Sequence, residues 1–253
     1  MQRLVSHVKS NFSAMGKAME RIEHGSEIIW YDPECFEQFH RDVFEIDYWR
    51  EHNAIRGKAM GRNVTWFVED GVGHKVLRHY YRGGMIGRVM EDTFLHVAEA
   101  KSRAMAEFTV LLKLYRRDLP VPRPCAARMV RSNLVYRADI MLSRITDAQD
   151  LVAVLKEREL TQQEWQQVGS TIRRFHDAGL YHADLNSHNI LLDKHGKVWL
   201  IDFDKCHFRQ PGAWTRENMQ RLLRSFYKEE GLNPGFNWQE EDWQTLLLGY
   251  QAS

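Results

Sequence analysis

The sequence has few cysteines, almost no net charge and no long apolar run, and each of these features excludes a class of protein. Its three cysteines, Cys35, Cys125 and Cys206, are odd in number and far apart, so we expect reduced thiols and neither a disulfide framework nor a CxxC metal site. Lys+Arg 35 and Asp+Glu 34 leave a formal net charge of +1, which excludes an overall basic field for nucleic acid. No apolar run reaches the roughly 18 residues of a membrane-spanning helix, and residues 1–13 lack the apolar core of a signal peptide. Peripheral attachment to a membrane stays open.

The spacing of apolar residues predicts a strand-rich first half and a helix-rich second half, which meet near residue 146. Strands are predicted at residues 27–31, 54–57, 64–69, 75–81, 126–130, 134–145, 190–192 and 198–201. Helices are predicted at residues 33–43, 102–117, 161–177, 216–230 and 241–250. Thr161 and Glu164 have the spacing of a capping box at the start of the third of these helices.

Two neighbouring motifs carry the chemistry. Residues 181–192 read YHADLNSHNILL, and residues 200–204 read LIDFD. They resemble the catalytic and metal loops of the protein-kinase-like superfamily, where H-x-D-L-x-x-x-x-N precedes an Asp at the end of a second strand. This resemblance implies an α+β, protein-kinase-like bilobal fold. Its N-lobe would be an antiparallel β-sheet with one main helix, and its C-lobe would be mainly helical.

Phosphoryl transfer explains the residue types of these motifs. A carboxylate must orient the attacking hydroxyl and take its proton, which we assign to Asp184. Hard oxygen ligands must hold Mg²⁺, which we assign to Asn189 and Asp202, at opposite ends of a hairpin. His182 would brace the loop by hydrogen bonding. The alternative is structural: His182 and Asp184 cap a helix, and Asp202 merely ends a strand.

Nucleotide-binding candidates lie in the first half. Gly57 and Gly61 fall between two strands, where a glycine-rich loop would cover the ATP phosphates, although an ordinary hairpin turn explains this segment better. Arg78 stands where kinases carry a nucleotide-binding lysine. Lys75 competes for that role, but its position on the strand should direct it to the other face. Glu107, on the next helix, is expected to pair with the strand cation, unless it is an ordinary surface glutamate.

Three longer segments resemble one family within this superfamily, the 3-deoxy-D-manno-octulosonic acid (Kdo) kinases of Gram-negative lipopolysaccharide synthesis. They are VLRHYYRGG at 76–84, LPVPRP at 119–124, and FHDAGLYHADLNSHN at 175–189 with DFDKC at 202–206. The resemblance implies that ATP and Mg²⁺ serve to phosphorylate the 4-hydroxyl of a Kdo residue on a lipid A precursor. It also implies peripheral association with the cytoplasmic face of the bacterial inner membrane.

Four basic residues are candidates for contacting the acidic acceptor: Arg82, Arg88, Lys205 and Arg209. The alternative is a solvated basic surface. No long activation segment or A-P-E motif follows the metal aspartate, so a protein substrate is not expected, nor is nucleic acid. Residues 1–146 would form an N-terminal extension and the nucleotide-binding lobe, and residues 147–253 the catalytic helical lobe. A kinase for another core sugar such as heptose, an aminoglycoside-type phosphotransferase and a nucleotide-binding pseudokinase remain alternatives.

Overall fold

The structure is a computed structural model that describes residues 19–60, 64–81 and 92–252. The chain divides into two compact units. The first comprises residues up to Thr109 together with Arg123–Arg144, and the second comprises Val110–Pro122 together with the residues from Ile145 onward. The first unit is built on an antiparallel sheet and the second mainly on helices, so the fold is α+β and kinase-like, as predicted.

Eight strands form the sheet of the first unit. They are β1 (Glu20–His24), β2 (Glu27–Tyr31), β3 (Ile55–Met60), β4 (Val64–Asp70), β5 (Gly73–His79), β6 (Phe94–Leu95), β7 (Pro124–Ser132) and β8 (Val135–Ser143). Their order is β1-β2-β7-β8-β5-β4-β3, with β6 beside β8, and every pair is antiparallel. The strands predicted in this part of the chain are confirmed with small shifts at their ends, whereas β1 and β6 were not predicted.

The predicted helix at residues 33–43 is wrong. The chain forms two separate 3₁₀ turns, Pro33–Cys35 and Arg41–Phe44, followed by α1 (Ile46–Glu51). The first turn ends because Phe36 is already extended. Buried side chains come in two pairs, residues 35–36 and 43–44, and a spacing of seven to eight residues suits a helix as well as two turns. Both pairs pack with Trp49 in one hydrophobic cluster of the first unit.

One helix accompanies the sheet. Helix α2 (Arg103–Tyr115) buries Met105, Phe108 and Leu111, and Phe108 meets Trp30 of β2 edge to face at 6.4 Å between ring centroids. Tyr115, the last residue of the helix, is exposed. The boundary between the two units falls within this helix.

The second unit contains four further helices: α3 (Leu151–Glu157), α4 (Gln162–Asp177), α5 (Trp214–Leu232) and α6 (Glu240–Gln251). Its short strands are β9 (Ala148–Asp150), β10 (Leu180–Tyr181), β11 (Ile190–Asp193), β12 (Val198–Leu200) and β13 (His207–Phe208). The capping box of Thr161 and Glu164 is confirmed at the start of α4. Helices α4 and α6 touch backbone to backbone at Gly169 and Gly249, where a Cβ atom on either glycine would overlap the carbonyl of the other helix.

Among residues 19–60, 64–81 and 92–252, no helix combines the length and the hydropathy that crossing a membrane requires.

Candidate active site

A β-hairpin in the second unit brings the two expected metal ligands together. Strands β11 and β12 pair with Ile190 opposite Leu200. Asn189 directly precedes the first strand and Asp202 closely follows the second. They are the two chain ends of one hairpin, so both lie at its open end. There the Ile201 N–H donates to the Asn189 carbonyl at 3.0 Å.

The loop before the hairpin is ordered by its own side chains. Asn186 caps the short turn Ser187–Asn189, accepting hydrogen bonds from the N–H groups of His188 and Asn189. The side-chain amide of Asn189 donates to the Asp184 carbonyl at 2.8 Å. The carboxylate of Asp184 itself is exposed and makes no hydrogen bond to any described residue. The loop therefore exposes the Asp184 carboxylate to solvent, while hydrogen bonds with His182 and Asn189 fix the Asp184 backbone.

His182 connects this loop to the strand that leads to Asp202. Its Nδ1 accepts the Asp184 N–H at 3.3 Å, so Nε2 carries the proton and donates to the Ile201 carbonyl at 3.1 Å. Burial lowers the pKa of His182, which favours this neutral form. The ring also meets Phe203 at 5.2 Å between centroids. These contacts are those of a bracing residue.

Asn218 is a buried supporting residue that the sequence analysis missed. It lies on α5, is 1% exposed, and bonds both backbone groups of His182: the N–H donates to Oδ1 at 3.2 Å, and Nδ2 donates to the carbonyl at 3.0 Å. Nearby on α4, Nδ1 of His176 lies 2.7 Å from the Tyr250 hydroxyl. The available signal was an asparagine four residues from both Trp214 and Leu222, on the apolar stripe of the helix.

Backbone conformation is unusual directly after the hairpin. Asp202 has φ 61° and Lys205 has φ 62°, both in the left-handed region that few residues other than glycine adopt. Such conformations persist where the surroundings enforce them, often at functional sites. Helix α5 then begins at Trp214, as expected for a chain without a long activation segment.

The donor set at the open end of the hairpin suits Mg²⁺. An amide oxygen and a carboxylate oxygen are hard ligands, and Mg²⁺ in phosphoryl-transfer sites takes one or two protein ligands besides phosphates and water. The described residues contain no group of three or more His, Cys, Asp or Glu side chains that could hold a metal. Asn189 and Asp202 are therefore suited to a metal shared with a nucleotide rather than to an all-protein cage.

In the first unit, the structure brings Arg78 and Glu107 together. Arg78 Nη2 lies 2.5 Å from both carboxylate oxygens of Glu107, whose side chain is buried. Tyr80 donates its hydroxyl proton to the same carboxylate, and its ring lies 5.2 Å from the guanidinium of Arg78. Lys75 projects from the other face of β5 and pairs with Asp70.

The proposed glycine loop is only partly described. Gly57 lies within strand β3 rather than in a loop, at an irregularity in its pairing with β4. Its φ of 147° is one that favours glycine. Gly61 falls outside the described residues, as do the acceptor candidates Arg82 and Arg88.

The remaining acceptor candidates lie after Asp202. Lys205 is exposed. Arg209 lies over the Tyr181 ring at 3.7 Å, and its Nε donates to Nε2 of His207 at 2.8 Å. Two further cations, Lys113 and Arg117, were not predicted from the sequence. Both lie 5.5 Å from the ring centroid of Phe208, which belongs to the two-stranded ribbon of β10 and β13. We call these four residues, Lys113, Arg117, Lys205 and Arg209, the basic ribbon.

Comparisons with known proteins agree with these features. The sequence profile of the Lipopolysaccharide kinase (Kdo/WaaP) family matches residues 46–250. The chain is 42% identical to a 3-deoxy-D-manno-octulosonic acid kinase of Vibrio parahaemolyticus, over 90% of this chain and 95% of that protein. It is 40% identical to enzymes of the same name from Photobacterium profundum and Mannheimia succiniciproducens, over 92% of this chain in each case and 98% and 100% of those proteins.

Proposed function

Because the chain belongs to the lipopolysaccharide kinase (Kdo/WaaP) family and is therefore a phosphotransferase that acts on a hydroxyl, we propose that it phosphorylates the 4-hydroxyl of a Kdo residue on a lipid A precursor. The observation that carries this proposal is the identity of about 40% to Kdo kinases along nearly their whole length. ATP is the phosphoryl donor. Neither a heptose kinase, an aminoglycoside-type phosphotransferase nor a pseudokinase is favoured by these relatives.

In the proposed reaction, Asp184 orients the acceptor hydroxyl and takes its proton. The hydroxyl oxygen attacks the γ-phosphorus, the bond from that phosphorus to the bridging oxygen breaks, and ADP leaves. The exposed carboxylate of Asp184 suits this role because no described residue occupies its oxygens. His182 and Asn189 support it by holding the backbone on both sides.

Asn189 and Asp202 would hold Mg²⁺, which neutralises charge on the phosphates when it is bound. Arg78, kept in place by Glu107, would contact the nucleotide phosphates in place of the usual lysine. The carboxylate beside it fixes the direction of the guanidinium fork, and a planar fork suits phosphate oxygens. Gly57 and Gly61 would lie over the nucleotide. Residues 1–146 would then carry the nucleotide-binding lobe and residues 147–253 the catalytic lobe.

Acceptor recognition is assigned to cations. Lys205 and Arg209 would contact the acidic headgroup around the reacting sugar, together with Arg82 and Arg88. Lys113 and Arg117, the other two residues of the basic ribbon, would extend the positive surface that Lys205 and Arg209 form. Anionic lipid attracts each nearby basic residue by about 1 kcal/mol. We therefore propose peripheral association with the cytoplasmic face of the inner membrane, weakened by salt.

Mass measurement of the lipid product tests the proposal. The protein is incubated with ATP, Mg²⁺ and a lipid A precursor that bears Kdo, and the lipid should gain one phosphate. A parallel reaction with a precursor extended by heptose, and one with Asp202→Ala protein, serve as controls. Phosphate transfer that requires the heptose, or no transfer to either lipid, would contradict the proposed acceptor.

A further inference from the structure

The sheet of the first unit has a pocket on the face opposite the Arg78–Glu107 pair. Successive residues of a strand point to opposite faces, and here Leu77 and His79 line the pocket while Arg78 points away from it. The pocket has a volume of about 590 Å³, within the range of small-molecule sites. One wall is formed by the 3₁₀ turn Arg41–Phe44 and the residues just after it.

Two carboxylates, one buried and one half-buried, lie behind the arginines of this pocket. Asp139, 3% exposed, accepts hydrogen bonds from Arg128 Nε at 2.8 Å and from His79 Nδ1 at 2.7 Å. Glu27, 14% exposed, pairs with Arg41 at 2.9 Å. Because an acid buried without a partner is costly, these pairs hold the cations in fixed positions.

The cations reach further towards solvent than these two acids. The side chains of Arg41 and Arg137 are 44% and 54% exposed. Glu45 is an exposed acid of the lining, but it accepts a hydrogen bond from Arg128 at 2.5 Å. The exposed parts of Arg41 and Arg137 can therefore still donate hydrogen bonds at the opening, while Asp139 and Glu27 already accept hydrogen bonds from arginines.

One buried nitrogen of the lining belongs to His79. Among the described residues, Nε2 of His79 has no hydrogen-bond partner, and the nearest carboxylate oxygen, on Asp92, lies 3.6 Å away. An unsatisfied buried polar atom is uncommon and calls for an explanation, for which a bound ligand is one candidate. Trp66 and Tyr81 add aromatic surface to the same lining.

From this geometry we propose a second binding site, separate from the nucleotide, for a small ring-containing molecule that carries a carboxylate or a phosphate. Arg41 and Arg137 donate to the oxyanion, His79 Nε2 bonds an adjacent polar group, and the ring packs on Trp66 or Tyr81. Arginine forks suit carboxylate and phosphate equally well, so both anions belong to the proposed class.

Isothermal titration calorimetry tests the site with three probes: D-glucuronate, D-glucose 6-phosphate and neutral D-glucose. Arg78→Gln protein is used, so that the nucleotide-binding face cannot account for the heat. At least one of the two anionic probes should bind saturably at millimolar concentration with one site per chain, and glucose should not. Arg41→Gln and Arg137→Gln should each weaken binding about tenfold or more, the size of a lost charge-assisted hydrogen bond.

Two further variants distinguish this pocket from general charge. Arg56→Gln removes another exposed, paired arginine of the first unit that does not line the pocket, and binding should change less than twofold. Val130→Phe fills the pocket without changing its charge and should abolish binding. The proposal is overturned if neither anionic probe binds, if glucose binds equally well, or if the two pocket arginine variants bind like the parent.

Discussion

Replacing Asn218 by leucine tests how the catalytic loop is held, because this side chain closes hydrogen bonds with both backbone groups of His182. Leucine has the same branching at Cγ but can neither donate nor accept a hydrogen bond. A buried group left unsatisfied costs about 1–3 kcal/mol, so two such groups predict a loss of about 2–6 kcal/mol in the free energy of unfolding. A typical domain has about 5–15 kcal/mol available, so the variant should still fold.

The rate should fall by more than the loss of folded protein alone would cause. His182 carries the loop that presents Asp184, and a displacement of about 1 Å in a catalytic group can cost about 10²-fold in rate. We expect kcat to fall by about that factor while KM for ATP changes little. Urea unfolding followed by circular dichroism gives the stability, and steady-state phosphorylation of the Kdo lipid gives kcat.

Asn237→Leu is the matched control. Asn237 also donates a side-chain hydrogen bond to a backbone carbonyl, that of Leu155, at 2.9 Å, but within the described part of the chain no hydrogen bond joins it to the catalytic loop. Its loss should cost about 1 kcal/mol of stability and leave kcat unchanged. If Asn218→Leu kept parental kcat, or if both variants lost activity equally, the bracing role of Asn218 would be refuted.

Four other predictions follow from the site. Asp184→Ala should lower kcat by about 10²–10⁴ with little change in ATP binding, and near-parental turnover would remove the residue from its role as base. Arg78→Lys should impair activity measurably, because a point charge replaces a fork fixed by a carboxylate; we would abandon this assignment if Lys75→Ala were crippling and Arg78→Ala harmless. Burial lowers the pKa of His176 to about 4 from 6.5, so the unfolded state binds more protons between these values, and stability should fall by up to roughly 3 kcal/mol as pH drops through that window. His176→Gln should flatten this pH dependence in urea titrations, and an unchanged slope would contradict the cause. Lys205→Ala should raise KM for the lipid acceptor more than KM for ATP, and equal effects on both would leave Lys205 as ordinary surface.

Short sequence patterns correctly predicted the parts of the fold that depend on residues close together in the chain. The strands around Arg78 alternate clearly, and the parity of that alternation was enough to separate Arg78 from Lys75. The capping box of Thr161 likewise lies within four residues. The spacing of residues 181–204 led to the hairpin, and with it to the proximity of Asn189 and Asp202.

Features that depend on long-range packing were not predicted. The buried pairs at residues 35–36 and 43–44 are explained only by the sheet face that covers them, so their spacing was mistaken for a helix. Asn218 is separated from His182 by 36 residues, and no local rule connects them. The pocket on the face opposite Arg78 is lined by six strands and a turn, and the order of these strands along the sheet differs from their order along the chain.

The glycine contact between α4 and α6 has a consequence for protein engineering. Because Gly169 and Gly249 leave no space for a methyl group, even alanine at either position would push the two helices apart. Helix α6 also carries Tyr250, whose hydroxyl lies 2.7 Å from Nδ1 of His176 on α4. A shortened version that ends before residue 240 would therefore expose one side of α4 and remove the hydrogen-bond partner of His176. Affinity tags are better attached beyond Gln251 than substituted for any part of this helix.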